Sequence, residues 1–359
     1  MVKRLMNLSV PGWRSPHRRA VGVLILLIVI LAPVVSACSS STAIAPTSMV
    51  RMGIVGASQP LWRYVAQQRD KLLSPSGYLA TFISYNNETE LRKAFLNNEI
   101  DVMATLPPQL ALIAQDGVNL QYFLPIAWLK EGYPIVVPAD SAILTPADLP
   151  GKRLSTFPSD HPGMGYWQAF VQANYGFRLA DKTLLSISQD PVGPLLEGQA
   201  DAATVDSVAW SKMKSTGLFR QVSDLATEWA KLSGSSRPLV YGGYVARKEW
   251  LDKNRPFVDE FIRVNYQALQ SYQKDRKAFI DTAAAYAEGD IRPMPADILQ
   301  SVADYLGMSD VTPERAYLTD ADTADYDRIF QLLVKTNYLS RAVVPAHALF
   351  YLSDARPKG

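Results

Sequence analysis

Cysteine occurs once in the 359 residues and histidine three times, with only His161 and His347 beyond the first 37 positions. One cysteine excludes an intramolecular disulfide. Two histidines, neither spaced against a second ligand as a metal site requires, nominate no metal centre, and no cofactor is expected. The chain has no G-x-S-x-G elbow, no phosphate-cradling G-x-x-x-x-G-K-[ST] and no cysteine nucleophile, so no residue is proposed as catalytic. Carboxylate pairs do occur, Glu88 with Glu90 and Asp320 with Asp322. Their helix-start and loop contexts read as capping and solvation. Excess positive charge is also lacking. The formal charge is +2, from 36 Lys and Arg against 34 Asp and Glu. Five of those bases, Lys3, Arg4, Arg14, Arg18 and Arg19, fall in residues 1–37, which hold no acid. The remaining 31 bases against 34 acids make the rest of the chain mildly acidic. Nucleic acid, which calls for a basic face, is therefore not an expected partner.

The first segment reads as an address. A basic stretch precedes the apolar run Ala20–Ala32, which is short for a membrane span and is followed by Val35-Ser36-Ala37-Cys38. Residues 1–37 are read as a signal peptide; an uncleaved anchor helix would leave the body on the same side. Val-Ser-Ala-Cys resembles the bacterial lipoprotein box, which implies lipid on Cys38 and a mature N-terminus there. The Ser-, Thr-, Ala- and Pro-rich stretch that follows is read as a flexible tether, residues 38–50.

Beyond the tether, hydrophobic patterning alternates between strand and helix. Val50–Val55 reads as a strand, Leu61–Arg69 as a helix, Leu79–Ser84 as a strand of period two, and Glu88–Leu96 as a helix stopped by Asn97-Asn98. Ile100–Thr105 is the next strand, and Pro107 suits a helix start. This βαβαβ order predicts a mostly parallel sheet covered by helices. A second copy follows, because Phe95–Thr105 and Leu195–Val205 echo one another: helix end, turn, Asp101 or Asp201, buried strand. The expected lobes are residues 51–132 and 133–236, with 237–359 returning to the first as helices. Length alone suits two lobes better than one core.

The stretch Pro146–Trp167 organises the second lobe. Asp148-Leu149-Pro150-Gly151 is a turn, Arg153–Phe157 a short strand, and a helix is expected to open near Gly163 or Met164. A strand feeding a helix through a tight loop leaves free N–H groups that favour a polar or anionic ligand group. Asp148-Leu149-x-Gly151-Lys152, preceded by Ile135-Val136-Val137 and set among the two echoes, resembles the extracytoplasmic solute-binding proteins of ABC importers. The group most resembled is the nitrate/sulfonate/taurine and thiamine-pyrimidine-precursor one (NitT/TauT, SsuA-like). The resemblance covers about Met52 to Tyr338. It departs where Gln68-Arg69-Asp70-Lys71-Leu72 replaces the usual E-K-G-Y-F, and where Asn98 replaces a glycine. It implies a two-lobed, type II periplasmic-binding-protein α/β fold, with each lobe a mostly parallel sheet flanked by helices. It also implies a monomeric receptor outside the cytoplasm that closes on a small-molecule solute and hands it to membrane permease subunits.

Strand-end loops should face the cleft between such lobes. They offer Ser58, Gln59, Asn86 and Thr105 as hydrogen-bonding groups, with Trp62, Tyr85, Phe157 and Tyr166 as walls. His161, the amides of Gly163, Met164 and Gly165, and the carboxylates Asp190 and Asp206 complete the candidates. No Arg or Lys lies inside these loops; Arg63 is close to one, and Arg237 lies at the return crossing. A buried anion wants charge-assisted donors, and sulfonate-type relatives often place hydroxyls where Pro162-Gly163 stand here. The reading therefore favours a neutral or aromatic heterocycle, pyrimidine- or flavin-like, over a nitrate, sulfonate or taurine ligand. The contrasting class is a pyrimidine-synthesis-like enzyme on the same fold, which would need a Cys- and His-rich region. Trp128–Gly132 and Ser233–Arg237 are the expected hinges.

Overall fold

Among the described residues, ten strands form two five-stranded sheets, and the chain passes between them twice. The structure is a computed structural model that describes residues 48–56, 59–159, 161–188, 190–311, 317–341 and 345–352. All of these belong to one compact unit, Ile44–Gly359. The strands are β1 (Ser48–Val55), β2 (Tyr78–Tyr85), β3 (Val102–Thr105), β4 (Leu120–Trp128), β5 (Ile135–Pro138), β6 (Arg153–Thr156), β7 (Leu184–Ile187), β8 (Ala202–Thr204), β9 (Phe219–Ser223) and β10 (Val240–Arg247). The first sheet has the order β2-β1-β3-β10-β4 and the second β7-β6-β8-β5-β9. In each, four strands run one way and the fourth in the order, β10 or β5, runs against them. The sheets are thus mixed. Each reversed strand is the one laid down just after the chain has crossed over.

The echo around Asp101 and Asp201 is repeated in three dimensions. Asp101 accepts from the Arg51 backbone N–H at 2.9 Å and from its guanidinium at 3.1 and 2.8 Å. Asp201 accepts from Arg153 in the same three ways, at 2.8, 3.2 and 2.6 Å. A bidentate fork fixes both distance and angle, so each pins the turn before β3 or β8 to the neighbouring strand. Asn98 takes the left-handed conformation (φ 61°) and Gly198 does the same (φ 69°), as the αL tolerance of Asn allows.

Several boundaries differ from the sequence reading. β1 starts at Ser48, inside the stretch read as tether, because Met49 and Val50 pair with Leu79 and Ala80. β9 and β10 were not expected. β10 is buried through its first seven residues, so it lacks the alternation that marks a half-exposed strand. Its sequence Val-Tyr-Gly-Gly-Tyr-Val also carries two strand-weakening glycines. A Cβ on Gly243 would strike the Leu124 carbonyl oxygen and the Tyr122 hydroxyl, so the pairing with β4 requires glycine there. The C-terminal helices do not pack on the first lobe alone. Asp320–Lys335 lies against both Pro107–Gln115 and Pro162–Tyr175, and the Tyr326 and Tyr166 hydroxyls meet at 2.6 Å. No helix among the described residues is long and apolar enough to cross a membrane. The proposed signal, most of the tether and the lipidation residue Cys38 lie outside the described residues.

Candidate functional site

A cavity of about 330 Å3 opens where the carboxyl ends of β1, β2, β3, β6 and β8 converge. Ile54–Gly56, Gln59 and Trp62 line it after β1, Asn86–Glu88 after β2, and Thr105-Leu106 after β3. Phe157 and His161 reach it from the end of β6, Asp206 and Ser207 from the end of β8, and Tyr133 from the crossing between sheets. The reversed strand β10 adds Tyr241–Gly243, and the helix Ala296–Tyr305 adds Val302. Its volume is at the small end of ligand sites.

Seven of the residues expected from sequence meet here: Gln59, Trp62, Asn86, Thr105, Phe157, His161 and Asp206. Most of their polar atoms already serve the scaffold. Gln59 caps the helix Pro60–Gln67 by accepting from Trp62 N at 3.1 Å, and donates to the Ile126 carbonyl at 2.7 Å. Asn86 donates to the Glu90 carboxylate at 3.1 Å. Thr105 donates to Glu88 at 3.4 Å. Asp206 caps the helix Ser207–Lys214, accepting from Ala209 N at 2.7 Å. Trp62 is buried against Phe82 and Tyr286, with the Arg63 guanidinium 5.7 Å from its ring.

The remaining candidates fall otherwise. Gly163, Met164 and Gly165 do not offer free amides to a ligand. His161 is the N-cap of the helix Pro162–Tyr175, and its Nδ1 accepts from Gly163 N at 3.1 Å. Met164 N and Gly165 N donate to the His161 carbonyl at 2.9 and 3.3 Å. The helix start is thus satisfied by its own residues, which removes the anion-binding logic of an open N-terminus. Asp190 is exposed and lies two residues before a different helix, Val192–Leu196, accepting from Val192 N at 3.1 Å. Tyr85 does not line the cavity; its ring lies over Gly53. Tyr166 is fully buried in the contact with Tyr326 rather than forming a wall. Ser58 lies outside the described residues.

Tyr133, Glu88, Asn87 and Tyr241 were missed. Tyr133 has a left-handed backbone (φ 37°) directly after left-handed Gly132 (φ 74°), a conformation unfavourable for a bulky residue. It is held from both sides: its N–H donates to the Tyr305 hydroxyl, and its carbonyl accepts from Trp167 Nε1 at 2.8 Å. Its ring is edge-on to Phe157 and His161, with centroids at 5.6 and 5.1 Å. His161 in turn stacks on Phe157 at 4.4 Å. The glycine before Tyr133 was the available signal. Tyr241 carried none, since the strand that delivers it was not recognised.

The charge of the site is one-sided. Glu88 and Asp206 are the only carboxylates lining it among the described residues, and no Lys or Arg joins them there. Burial pushes the His161 imidazolium down to about 3, so the ring is neutral at physiological pH. With Nδ1 accepting, the proton sits on Nε2. Arg63, the nearest cation in sequence, is fully buried and turned to structure, donating to the carbonyls of Ala283, Tyr286 and Arg292 at 2.8–2.9 Å. No cluster of three or more potential metal ligands exists among the described residues.

The family described as the periplasmic substrate-binding protein of phosphonate ABC transporters matches residues 57–278, more than half of the chain. No curated protein sequence matches. Among solved structures, the alkanesulfonate-binding protein SsuA from Xanthomonas axonopodis pv. citri, bound to MOPS, superposes with a TM-score of 0.67 at 20% identity. That match covers 86% of this chain and 100% of the other. SsuA from Escherichia coli, an aliphatic sulphonate-binding protein, gives 0.66 at 16% identity, over 87% and 94% of the two chains. The Candida albicans CA3427 product, described as having the generic periplasmic binding protein fold, gives 0.61 at 11% identity, over 87% and 99%. At these identities the structures show the shared fold, and the family match carries the class. The chain belongs to the periplasmic substrate-binding proteins of ABC transporters, a family of extracytoplasmic transport receptors.

Proposed function

We propose that this chain captures a small organic solute in the cavity at the seam of its two lobes and presents it, by hinge closure, to a membrane permease. The reading rests on one observation: the cavity is built from strand ends of both sheets, with aromatic walls and no Lys or Arg among its described lining residues. The lobes are residues 51–132 with 237–359, and residues 133–236. The hinges are the paired segments near Trp128–Gly132 and Ser233–Arg237, where Leu129 N donates to the Leu239 carbonyl at 2.8 Å. Cys38 carries the lipid that holds the body at the membrane, and the receptor works as a monomer.

Gln59, Asn86, Thr105, Phe157, His161 and Asp206 are the sequence-derived residues assigned to ligand contact, joined by Tyr133, Glu88 and Tyr241. A phosphonate- or sulfonate-like anion, the kind of ligand named for the relatives, is disfavoured by charge. An anion about 5 Å from either carboxylate would be repelled by roughly 3 kcal/mol at an effective dielectric near 20. His161 is neutral, and the amides of Gly163, Met164 and Gly165 are already taken up by His161, so neither offsets that. A heterocycle held by stacking and by the Nε2–H of His161 fits better.

A thermal-shift screen over pyrimidines, flavins, alkanesulfonates and phosphonates tests the reading. A true ligand at a hundred times its Kd should stabilise the protein by about 2.7 kcal/mol. A sulfonate that stabilises it while heterocycles do not would reverse the ligand assignment. The anchor is tested separately: Cys38→Ala should move the protein from the membrane to the soluble fraction, and mass spectrometry should find no lipid on it.

A further inference from the structure

We propose that Tyr133 is the positioning residue that ties occupancy of the cavity to the angle between the lobes. The inference rests on the hinge-closure reading and narrows the moving part to one residue. The peptide before Tyr133 is held by the first lobe. Its N–H donates to the Tyr305 hydroxyl, and the helix that carries Tyr305 packs on the helices Pro60–Gln67 and Arg276–Ala284. The peptide after Tyr133 is held by the second lobe, where its carbonyl accepts from Trp167 Nε1 at 2.8 Å. Peptide units are planar, so φ and ψ of Tyr133 are the only soft torsions between those two anchors. A rotation of the lobes at this crossing turns them or breaks an anchor.

The conformation found is one that a tyrosine resists. Its φ of 37° follows one of 74° at Gly132, and the left-handed region penalises a bulky side chain but not glycine. Opening releases that strain, which biases the empty receptor toward the open form. The ring works the other way. It lines the cavity, lies edge-on to Phe157 and His161, and stands 6.1 Å from the ring of Tyr241, which follows the return crossing. It fits against the first turn of the helix Pro162–Tyr175 because position 163 is glycine; a Cβ there would lie 2.8 Å from its Cδ2. A solute packed on this ring keeps the ring seated, and the seated ring keeps the torsion.

Distances across the cleft, measured by pulsed electron paramagnetic resonance with no solute added, decide it. Spin labels go on Lys93→Cys and Lys212→Cys, exposed positions on the helices Glu88–Leu96 and Ser207–Lys214, in the full chain carrying Cys38→Ser. Tyr133→Ala and Tyr133→Gly both lack the ring and differ in the cost of a positive φ. The ratio of the described arrangement to the open one should be at least about fivefold higher in Tyr133→Gly than in Tyr133→Ala. A purely structural role would separate their urea midpoints but not these ratios. Tyr305→Phe leaves Tyr133 whole and frees its N–H, and should lower the ratio about threefold below the parent's. Equal ratios for the two Tyr133 variants, or a parent-like Tyr305→Phe, would overturn the role of Tyr133 and leave hinge closure standing. One distance shared by the parent and every variant would overturn hinge closure and this inference together.

Discussion

His161 makes a contact at the helix start that a charged ring could not make. Its Nδ1 accepts a hydrogen bond from Gly163 N, while its face stacks on Phe157. The acceptor role needs the neutral imidazole, and burial holds it there by lowering the pKa to about 3. The unfolded chain takes up the proton near 6.5. Between those values the unfolded state binds more protons, so stability falls as pH falls through that window and is flat above it. The slope should approach, at most, about 1.4 kcal/mol per pH unit. His161→Asn preserves an N-cap while removing the titration. Urea unfolding from pH 7 to pH 4 should show a shallower loss in the variant than in the parent. Asp206 allows a similar separation of roles. Asp206→Ala should cost about 1 kcal/mol by loss of the cap, whereas Asp206→Asn should cost a few tenths, measured by the shift in urea midpoint. Gly163 to Gly165 were misread for a related reason. A helix start looks open in sequence, and nothing in a local pattern says that a histidine one residue earlier will close it.

At the scale of elements, the repeated βαβ units were legible because each had its own local period. The echo at Asp101 and Asp201 was visible as well, but its partners Arg51 and Arg153 lie 50 and 48 residues earlier, beyond any local pattern. β10 was invisible because full burial erases alternation and because its glycines read as loop. Those glycines are tight-packing devices. Gly243→Ala would press a methyl onto the Leu124 carbonyl, which as backbone cannot swing aside. The expected cost is about 3 kcal/mol or more, read as a lowered urea midpoint with an unchanged slope. Gly165→Ala, by contrast, meets Tyr338 at 2.9 Å and Pro108 at 3.1 Å, and the tyrosine ring can give way. Its cost should be smaller, about 1–2 kcal/mol in the same measurement. The site inherits the same division. Its loop residues could be found by spacing, while Tyr241 and Tyr133 depended on a strand and a left-handed turn set by distant parts of the chain.

At the scale of the molecule, the two bodies are stitched on more than one side. Ser211 from the helix Ser207–Lys214 donates to Ser301 of the helix Ala296–Tyr305 at 2.7 Å, and Tyr166 meets Tyr326 at 2.6 Å. The serine pair offers a direct test of hinge closure. With Cys38 the sole native cysteine, the double variant Ser211→Cys/Ser301→Cys should form one disulfide at that spacing. Oxidation should slow solute exchange at least tenfold, and a reducing agent should restore it; exchange that ignores the bridge would argue against rigid-body opening there. The late arrival of β10 has a consequence of another kind. The first sheet has a gap between β3 and β4 at least until residue 247 has been synthesised, roughly 12–50 seconds after initiation at 5–20 residues per second. Throughout that interval the nascent polypeptide cannot lock into its final shape, which is the pliable condition a translocation channel requires of its cargo.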